Sequence, residues 1–482
     1  MINTLKKISL IFTIFLSACG TLNTNQTTKT QVNHAAQKPN IIIVFTDDQG
    51  FQDLSSYGSP LIKTPNLDRM AKQGARFNNF YVASSVCSAS RASLLTGRLG
   101  ARNGTTGVYF PDSKGLNPDE ITLAEMLKKS GYSTAMYGKW HLGDLEASLP
   151  IAQGFDEYFG VPYSNDMYIG SKQKLAENIK LNLNYNLEKI KSDQVFVEKN
   201  RKKRANIKKA GIKELVPLME GNLIVEYPAE QSSLTQRFFD RAISFIEQQD
   251  EKPFFIYLTP AMPHVPLFTS EQFKGKSARG LYGDVIEEID WHMGRLTKHL
   301  ERNNLADNTL IIFASDNGPW LGYKDHAGSA GHLRDGKFTN FEGGVRVPGI
   351  FYWPNRIKPN SNSQQLASSL DLMPTLAYFA KAELPNVKID GINLAPHLLN
   401  PKESIERSII YSSSKMIAGI REGDWKYIRK GGVNLRKHKS NNQAYLFNLA
   451  YDEAEQVNLI SKHPDIVNQL EAKIKTIEAD IN

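Results

Sequence analysis

The amino-acid sequence predicts an α/β protein with a large, mostly parallel central sheet flanked by helices, followed by a small antiparallel sheet with a helix. Two observations lead to this prediction. Up to about residue 400, short apolar runs rich in β-branched residues alternate with helical stretches, and beyond it short strands alternate with turns. Alternation of strand and helix favours a parallel sheet covered on both faces. A chain of 482 residues, 41% hydrophobic and 22% charged, is long enough for both parts.

The first predicted core strand is the apolar run NIIIVF at residues 40–45, bounded by Pro39 and by Asp47-Asp48. Such a continuous run is typical of a central strand buried on both faces. The other core strands are predicted at residues 133–137, 253–259 and 309–315, and the helices at 65–72, 123–129, 234–248 and 284–303.

These elements divide the body of the chain into two predicted regions. Residues 39–400 form the main α/β domain, in which the polar, weakly periodic segment 170–227 is an excursion. Residues 401–482 form a C-terminal α+β subdomain. Its strands are predicted at residues 408–411, 416–421, 425–429 and 444–448, and its helix at 464–479.

The N-terminus reads as a targeting segment. A short positive region ending at Lys7 precedes an apolar core at residues 8–16, which is too short to span a bilayer, and Ser17-Ala18-Cys19 follows. This pattern resembles a bacterial lipoprotein signal peptide at residues 1–18, with acylation of Cys19 and a polar tether at residues 19–38. We therefore expect an exported protein that acyl chains anchor to a bacterial membrane, in the periplasm or at the cell surface.

The formal net charge of +8 is concentrated in one place. Much of it lies between Lys189 and Lys213, around the run KNRKKRANIKK. Such a stretch suits either an anionic partner or a solvated face. No nucleic-acid-binding motif accompanies it, so no nucleic-acid partner is expected. The chain has two cysteines, Cys19 and Cys87, and each sits in a separate chemical motif, so no disulfide is predicted.

Polar residues follow two of the predicted core strands. Asp47-Asp48 follows the first strand and Asp316-Asn317 follows the last. In parallel sheets, functional sites lie beyond the carboxyl ends of the strands. Carboxylate and amide oxygens suit Ca²⁺ or Mg²⁺, although one such pair alone is more often a turn or a helix cap. Two pairs after two apolar strands favour a metal site.

Cys87 opens the run CSASRASLLTGR, which reads as a helix ending near Gly97. The side chain would then lie at the helix N-terminus, where free amide groups and the helix dipole favour an oxyanion. Arg91 follows one turn later on the same side. A buried structural cysteine and a plain thiol nucleophile remain alternatives.

Three further segments carry candidate polar groups. Lys139 and His141 lie two residues apart, so they point to one side of an extended segment. His264 lies between two prolines after a core strand, in a stiff loop that suits an acid of fixed geometry. Lys337 lies in a glycine-rich loop and carries little signal alone.

Taken in order, these segments resemble the sulfatase family of the alkaline phosphatase superfold, closest to the arylsulfatase A and N-acetylgalactosamine-6-sulfatase branch. The similarity covers the chain from Pro39 to the C-terminus. The resemblance implies that Cys87 is oxidised to formylglycine, whose hydrate provides the nucleophilic oxygen, and that Arg91 steadies this group. It also implies one Ca²⁺, with Mg²⁺ less expected. The implied metal ligands are Asp47, Asp48, Asp316, Asn317 and an oxygen of residue 87.

The same resemblance implies roles for the remaining residues. Lys139 and His141 would contact the second hydroxyl of the hydrate. His264 and Lys337 would bind the sulfate and assist the departing alcohol. Ser164 falls in a short segment similar to one that contacts substrate.

The predicted function is hydrolysis of a sulfate ester, on a sulfated carbohydrate, after a formylglycine-generating maturation enzyme has converted Cys87. A phosphoesterase of the same superfold is one alternative, but such enzymes usually present Ser or Thr and further Asp/His ligands for two metals. A non-catalytic glycan-binding lipoprotein on a degenerate scaffold is another, but every matched catalytic position retains a competent residue.

Overall fold

The computed structural model describes residues 38–413, 416–433 and 443–481. Cys19, the predicted signal peptide and nearly all of the predicted tether lie outside these residues, so the lipoprotein interpretation stays a prediction. Among the described helices, none is both long enough and apolar enough to cross a membrane. Residues from Lys38 onward form one compact unit.

The described residues contain sixteen strands and twelve α-helices. The strands are β1 (Asn40–Thr46), β2 (Ala75–Tyr81), β3 (Ser133–Lys139), β4 (Glu157–Val161), β5 (Lys174–Leu181), β6 (Leu218–Glu220), β7 (Leu223–Tyr227), β8 (Phe254–Thr259), β9 (Thr309–Ser315), β10 (Arg346–Tyr352), β11 (Ser361–Ser363), β12 (Ala367–Ser368), β13 (Ser408–Ser413), β14 (Met416–Glu422), β15 (Trp425–Ile428) and β16 (Tyr445–Asn448). The helices are α1 (Pro65–Gln73), α2 (Cys87–Thr96), α3 (Gly100–Asn103), α4 (Leu123–Lys129), α5 (Leu187–Asn200), α6 (Arg204–Lys209), α7 (Leu234–Glu247), α8 (Leu281–Arg302), α9 (Glu342–Val345), α10 (Leu372–Ala380), α11 (Ala395–Leu399) and α12 (Pro464–Ile481).

Twelve strands form one large sheet, in the order β11-β2-β10-β9-β1-β8-β3-β4-β6-β7-β5 with β12 beside β2. Its centre, β9-β1-β8-β3-β4, is parallel throughout. The four predicted core strands are β1, β3, β8 and β9. The α/β fold with a mostly parallel sheet is therefore confirmed. The segment predicted as an excursion, 170–227, adds β5, β6 and β7 to the sheet edge and also carries α5 and α6.

Alternate side chains of the central strands pack against opposite helical layers. Ile41, Ile43 and Phe45 of β1 belong to a buried cluster that includes residues of α2, α4 and α10. Ile42 and Val44 belong to a second cluster, with residues of α1, α7 and α8. Because successive side chains of a strand point to opposite faces, an uninterrupted apolar run satisfies both layers. The sheet is therefore buried on both faces, and its strand ends are the place left for polar chemistry.

The four C-terminal strands form a separate antiparallel sheet, β13-β14-β15-β16, against which α12 packs through the buried Leu470 and Ile474. A buried charge cluster ties this sheet to the main one. Lys426 Nζ of β15 lies 2.8 Å from Glu342 Oε1 and 2.8 Å from Glu455 Oε1, and all three side chains are fully buried. Glu342 begins α9, directly before β10.

Replacement of Lys426 tests how much this buried pairing stabilises the fold. We expect Lys426→Ala to lower the free energy of unfolding by about 3 kcal/mol, because it leaves two buried carboxylates without their shared cation. Lys473, in an exposed ion pair with Glu422, is the matched control, and its replacement by alanine should cost less than about 1 kcal/mol. Urea denaturation followed by fluorescence measures both. Equal small losses for the two variants would contradict this account.

Candidate active site

The ends of the five central parallel strands meet at one edge of the sheet, and each is followed by a predicted site residue. These are Asp47 and Asp48 after β1, His141 after β3, Ser164 after β4, His264 after β8, and Asp316 and Asn317 after β9. Lys139 is the last residue of β3. Helix α2, which begins at Cys87, and the loop that carries Lys337 also lie at this edge of the sheet.

Three buried carboxylates and the thiol form the centre of this edge. One ligand atom from each of Asp47, Asp48, Asp316 and Cys87 lies within 4.8 Å of all the others. Lys139 Nζ pairs with Asp47, and Lys337 Nζ pairs with Asp48. Burial alone would raise the pKa of Asp47, but Lys139 and His264 hold it below its ordinary value. Burial, reinforced by the charge of Asp47, raises the pKa of Asp316.

The donor set fits a hard divalent cation. Two buried acceptor oxygens, Asp48 Oδ2 and Asn317 Oδ1, have no hydrogen-bond partner among the described residues. Asn317 Nδ2 donates to Asp48 Oδ1 at 2.7 Å, so the amide lies directly beside that carboxylate. The ligand atoms of the cluster lie within 4.8 Å of one another, close enough for their side chains to share one such cation. All four predicted oxygen donors lie in the cluster or directly beside it.

Cys87 is the first residue of α2, and Gly97 ends the helix with a left-handed backbone (φ 66°), as the sequence predicts. Its thiol is buried, lies 3.6 Å from Asp47 Oδ1 and accepts a hydrogen bond from Lys337 Nζ at 3.2 Å. Burial raises the pKa of this thiol to about 12, against the lowering effect of the two lysines. A thiol of this pKa is almost fully protonated at pH 7, unlike a cysteine nucleophile.

Arg91 lies one turn after Cys87 in α2 and contacts buried groups of the site. Its Nε donates to Asp316 Oδ2 at 2.9 Å and its Nη1 donates to the carbonyl oxygen of Lys139 at 2.8 Å. Both partners of this ion pair are fully buried. Arg91 therefore fixes the ends of β3 and β9 relative to α2, and in the described structure its hydrogen bonds go to these groups and not to Cys87.

The extended geometry that the sequence suggested for Lys139 and His141 is wrong at His141, which has a left-handed backbone (φ 62°). Gly138 (φ 119°) precedes the pair, at a point where a Cβ atom would lie 2.0 Å from the carbonyl oxygen of Thr259. His141 Nε2 lies 3.1 Å from the carbonyl oxygen of Tyr109. Burial, reinforced by Lys139, holds the pKa of His141 well below its ordinary value, so its ring is neutral at pH 7.

His264 is held by polar groups of the loop after β4. Ser164 Oγ lies 3.1 Å from His264 Nδ1, and Asn165 Oδ1 lies 3.2 Å from the same atom. On the other side of the ring, His264 Nε2 lies 3.6 Å from Asp48 Oδ2. Trp320 packs edge-on against the imidazole. Ser164 therefore contacts the predicted acid directly.

Lys337 lies in a loop, and its ammonium group contacts both Trp320 and the acidic cluster. Its ammonium lies 5.0 Å from the centre of the Trp320 ring, in addition to its contacts with Asp48 and Cys87. Burial opposes its charged form, but Asp48 and the other acidic neighbours raise the pKa of Lys337, so it stays charged. Phe338, next along the chain, has a left-handed backbone (φ 75°).

Asp48, His141 and Phe338 are all non-glycine residues with positive φ, at 60°, 62° and 75°. Left-handed conformations at such residues are uncommon and cost of order 1 kcal/mol each, and they cluster at functional sites. His141 and Phe338 line the cavity and Asp48 belongs to the acidic cluster, so three of the fourteen such residues in the described part of the chain lie at the candidate site.

A cavity of about 570 Å³ opens onto Cys87. Its lining includes five of the predicted site residues: Cys87, His141, Ser164, His264 and Lys337. Phe110, Arg204, Trp320 and Phe338, which the sequence did not single out, are among the other residues that line it. Trp320 and Phe338 lie within three residues of a predicted ligand or base, and this proximity is the signal that could have found them.

Buried cations around a nucleophile position, at the edge of a parallel sheet, define an α/β enzyme that cleaves an anionic ester. The chain belongs to the sulfatase family, whose family model, described as "Sulfatase", matches residues 39–382. It is a sulfuric ester hydrolase, and the family predicted from the sequence is confirmed.

Relatives and solved structures agree with this membership. Arylsulfatase A of Bos taurus is 37% identical over 476 residues, covering 92% of this chain and 88% of that protein. N-acetylgalactosamine-6-sulfatase of Homo sapiens is 38% identical over 389 residues, covering 78% and 69%. The PsFucS1 sulfatase from Pseudoalteromonas sp. has a TM-score of 0.77 at 27% identity, covering 92% and 90%. Ps i-CgsB in complex with k-i-k-neocarrahexaose has a TM-score of 0.71 at 28% identity, covering 92% and 94%.

Proposed function

We propose that the enzyme hydrolyses a sulfate ester on a carbohydrate through a formylglycine made from Cys87, with one bound Ca²⁺. The observation that carries this proposal is the position of Cys87. It lies at a helix N-terminus, against three carboxylates and Lys337, yet burial raises its thiol pKa to about 12. A thiol that burial keeps protonated is a poor nucleophile, which favours its conversion by a formylglycine-generating maturation enzyme.

An aldehyde hydrate at position 87 would supply one hydroxyl to attack sulfur and a second whose deprotonation releases sulfate. A serine hydroxyl would offer no second exit and would leave a stable sulfate ester. The neutral ring of His141, whose pKa is held well below its ordinary value, can accept that second proton.

Asp47, Asp48, Asp316 and Asn317 would hold the Ca²⁺, with an oxygen of residue 87 as a further ligand. Bound there, the ion would supply positive charge beside the sulfuryl oxygens. The unpaired oxygens of Asp48 and Asn317 support this assignment, as does the absence of a soft ligand other than the thiol among the clustered donors.

The cationic side chains supply the rest of the electrostatic stabilisation. Lys139 and Lys337 are fixed by ion pairs before substrate arrives, so they cost little reorganisation when charge develops on the sulfuryl group. His264 lies beside the cavity and, with Lys337, would bind the sulfate and protonate the departing alcohol. Ser164 would contact substrate while orienting His264. Arg91 would steady the group at residue 87 through Asp316, the carboxylate with which it pairs.

A carbohydrate substrate is supported by the relatives. One is named N-acetylgalactosamine-6-sulfatase, and one structural neighbour was solved in complex with k-i-k-neocarrahexaose. The aromatic side chains of Phe110, Trp320 and Phe338 give the cavity apolar walls suited to the C–H faces of a sugar ring. A comparison of sulfate and phosphate release from 4-nitrophenyl esters tests the choice of ester, since predominant phosphate release would favour a phosphoesterase.

Replacement of Cys87 tests the catalytic cycle. We expect Cys87→Ala to lower kcat for 4-nitrophenyl sulfate by at least about a thousandfold, since the nucleophile position is lost. Cys87→Ser should retain sulfate covalently on the introduced hydroxyl or stay nearly inactive. Ser90→Ala is the matched control, because Ser90 lies on the same helix and its Oγ has no partner within the described residues. Repeated turnover by Cys87→Ser, measured as sulfate released per enzyme, would contradict the cycle.

Removal of the metal tests the Ca²⁺ site. We expect EDTA to abolish activity and lower the Tm, and Ca²⁺ to restore both, because an ion at 100 times its Kd stabilises the native state by about 2.7 kcal/mol. Asp47→Asn should lose the calcium-dependent rise in Tm. Asp307→Asn, an exposed control outside the cluster, should keep it. Full activity of calcium-free enzyme would contradict the assignment.

We further propose that acyl chains on Cys19 anchor the exported enzyme to a bacterial membrane, with residues 1–18 removed as a signal peptide and the tether leading to the domain that begins at residue 39. The support is the sequence pattern alone. Labelled palmitate should enter the wild-type protein and Cys87→Ala, but not Cys19→Ser, when each is expressed in a bacterial host. Equal labelling of Cys19→Ser would contradict the anchor.

A further inference from the structure

We propose that Arg204 forms a second anion-binding subsite in the catalytic cavity, for a sulfate or carboxylate group other than the ester that is cleaved. The inference rests on the proposed function and narrows its substrate class. The preferred substrate would be a saccharide that carries at least two anionic groups, one at the nucleophile and one at Arg204.

The basic stretch from Lys189 to Lys213, for which the sequence predicted no role, packs against the loop that carries Ser164. Ten of the 25 residues from Lys189 to Lys213 are Lys or Arg, against two acidic residues. The structure folds this stretch into most of α5 and all of α6. Val197, Ile207 and Ile212 of the stretch pack in one buried cluster with Tyr163 and Met167, which lie within three residues of Ser164. The stretch is thus held beside the site by a small core of its own.

Arg204, the first residue of α6, is the member of this stretch that reaches the cavity. Its side chain lines the same cavity as Cys87, His264 and Lys337. The guanidinium carbon lies 3.7 Å from the centre of the Phe110 ring, and Phe110 lines the cavity as well. A guanidinium stacked on an aromatic face is oriented by the ring while its N–H groups stay available for an anion.

The charge of Arg204 is not neutralised by the protein. Within the described part of the chain, no carboxylate lies within ion-pair distance of its guanidinium, and no other Lys or Arg of the stretch lines the cavity. Two other cations of the stretch, Arg201 and Lys213, do have partners within the protein. Arg201 donates to the carbonyl oxygen of Asp112 at 2.6 Å, and Lys213 Nζ lies 3.7 Å from Asp166 Oδ2. Asp166, the acidic side chain of the cavity lining outside the metal cluster, shares Lys213 with Glu214, whose Oε1 lies 3.4 Å from the same ammonium group.

The cavity has room for more than the reacting ester. At about 570 Å³ it lies within the ~300–1,000 Å³ range of small-molecule sites and exceeds what a sulfate group alone would fill. Sulfate and carboxylate both match the planar fork of a guanidinium, which can bind either with two parallel hydrogen bonds. Lys337 and Arg204 would then hold two anionic groups of one saccharide.

Calorimetry on the inactive Cys87→Ala background measures this subsite without turnover. The probes are three disaccharides with one backbone: one with a single sulfate, one with two sulfates, and one with a sulfate and a uronate carboxylate. Arg204→Ala should raise the Kd of at least one doubly charged probe by roughly three- to fivefold more than that of the singly charged probe, the size of a solvent-accessible ion pair. The difference should shrink at high salt.

Two matched variants separate recognition from structure. Arg204→Lys should keep part of the preference for two anions, and Lys208→Ala, on the same helix but outside the cavity lining, should leave all three Kd values unchanged. The doubly charged probe that responds identifies sulfate or carboxylate as the second group. Equal weakening of all probes by Arg204→Ala, or no preference for two anions in the parent, would overturn the subsite. Wild-type release of sulfate from 4-nitrophenyl sulfate reports separately on the proposed function.

Discussion

The structure depends on the pairing of three buried carboxylates with three buried cations at one edge of the central sheet. Asp47 pairs with Lys139, Asp48 with Lys337, and Asp316 with Arg91. Buried charges are costly unless they are paired, so these contacts fix β1, β3, β9 and α2 relative to one another. When the three carboxylates and the three cationic side chains are all ionised, their charges sum to zero. A divalent cation bound among them would therefore give the site the net positive charge that suits an anionic ester.

The C-terminal sheet reaches this edge through a second set of buried contacts. Asn340 Nδ2 donates to the carbonyl oxygen of Gly432 at 2.7 Å, and Lys426 pairs with Glu342. Both Asn340 and Glu342 lie within five residues of Lys337. The small sheet thus braces the loop that delivers this lysine to the centre of the site.

Most of the fold and the centre of the site could be predicted because they follow from local patterns. Residues 41–45 at the centre of β1 are all apolar, as burial on both faces demands. Other features depend on long-range packing. The left-handed backbone of His141 could not be read from residue spacing. Arg204 reaches the cavity only because the helices of its basic stretch pack beside the loop after β4.

The central claim is that activity comes from an aldehyde at residue 87 and not from a thiol. The direct measurement is the specific activity of preparations that differ in the converted fraction of Cys87, obtained by expression with graded amounts of a formylglycine-generating enzyme and quantified by mass spectrometry of the peptide. The account predicts that sulfate release rises in proportion to the converted fraction, from zero in unconverted protein. Unconverted protein that works at the full rate would contradict it.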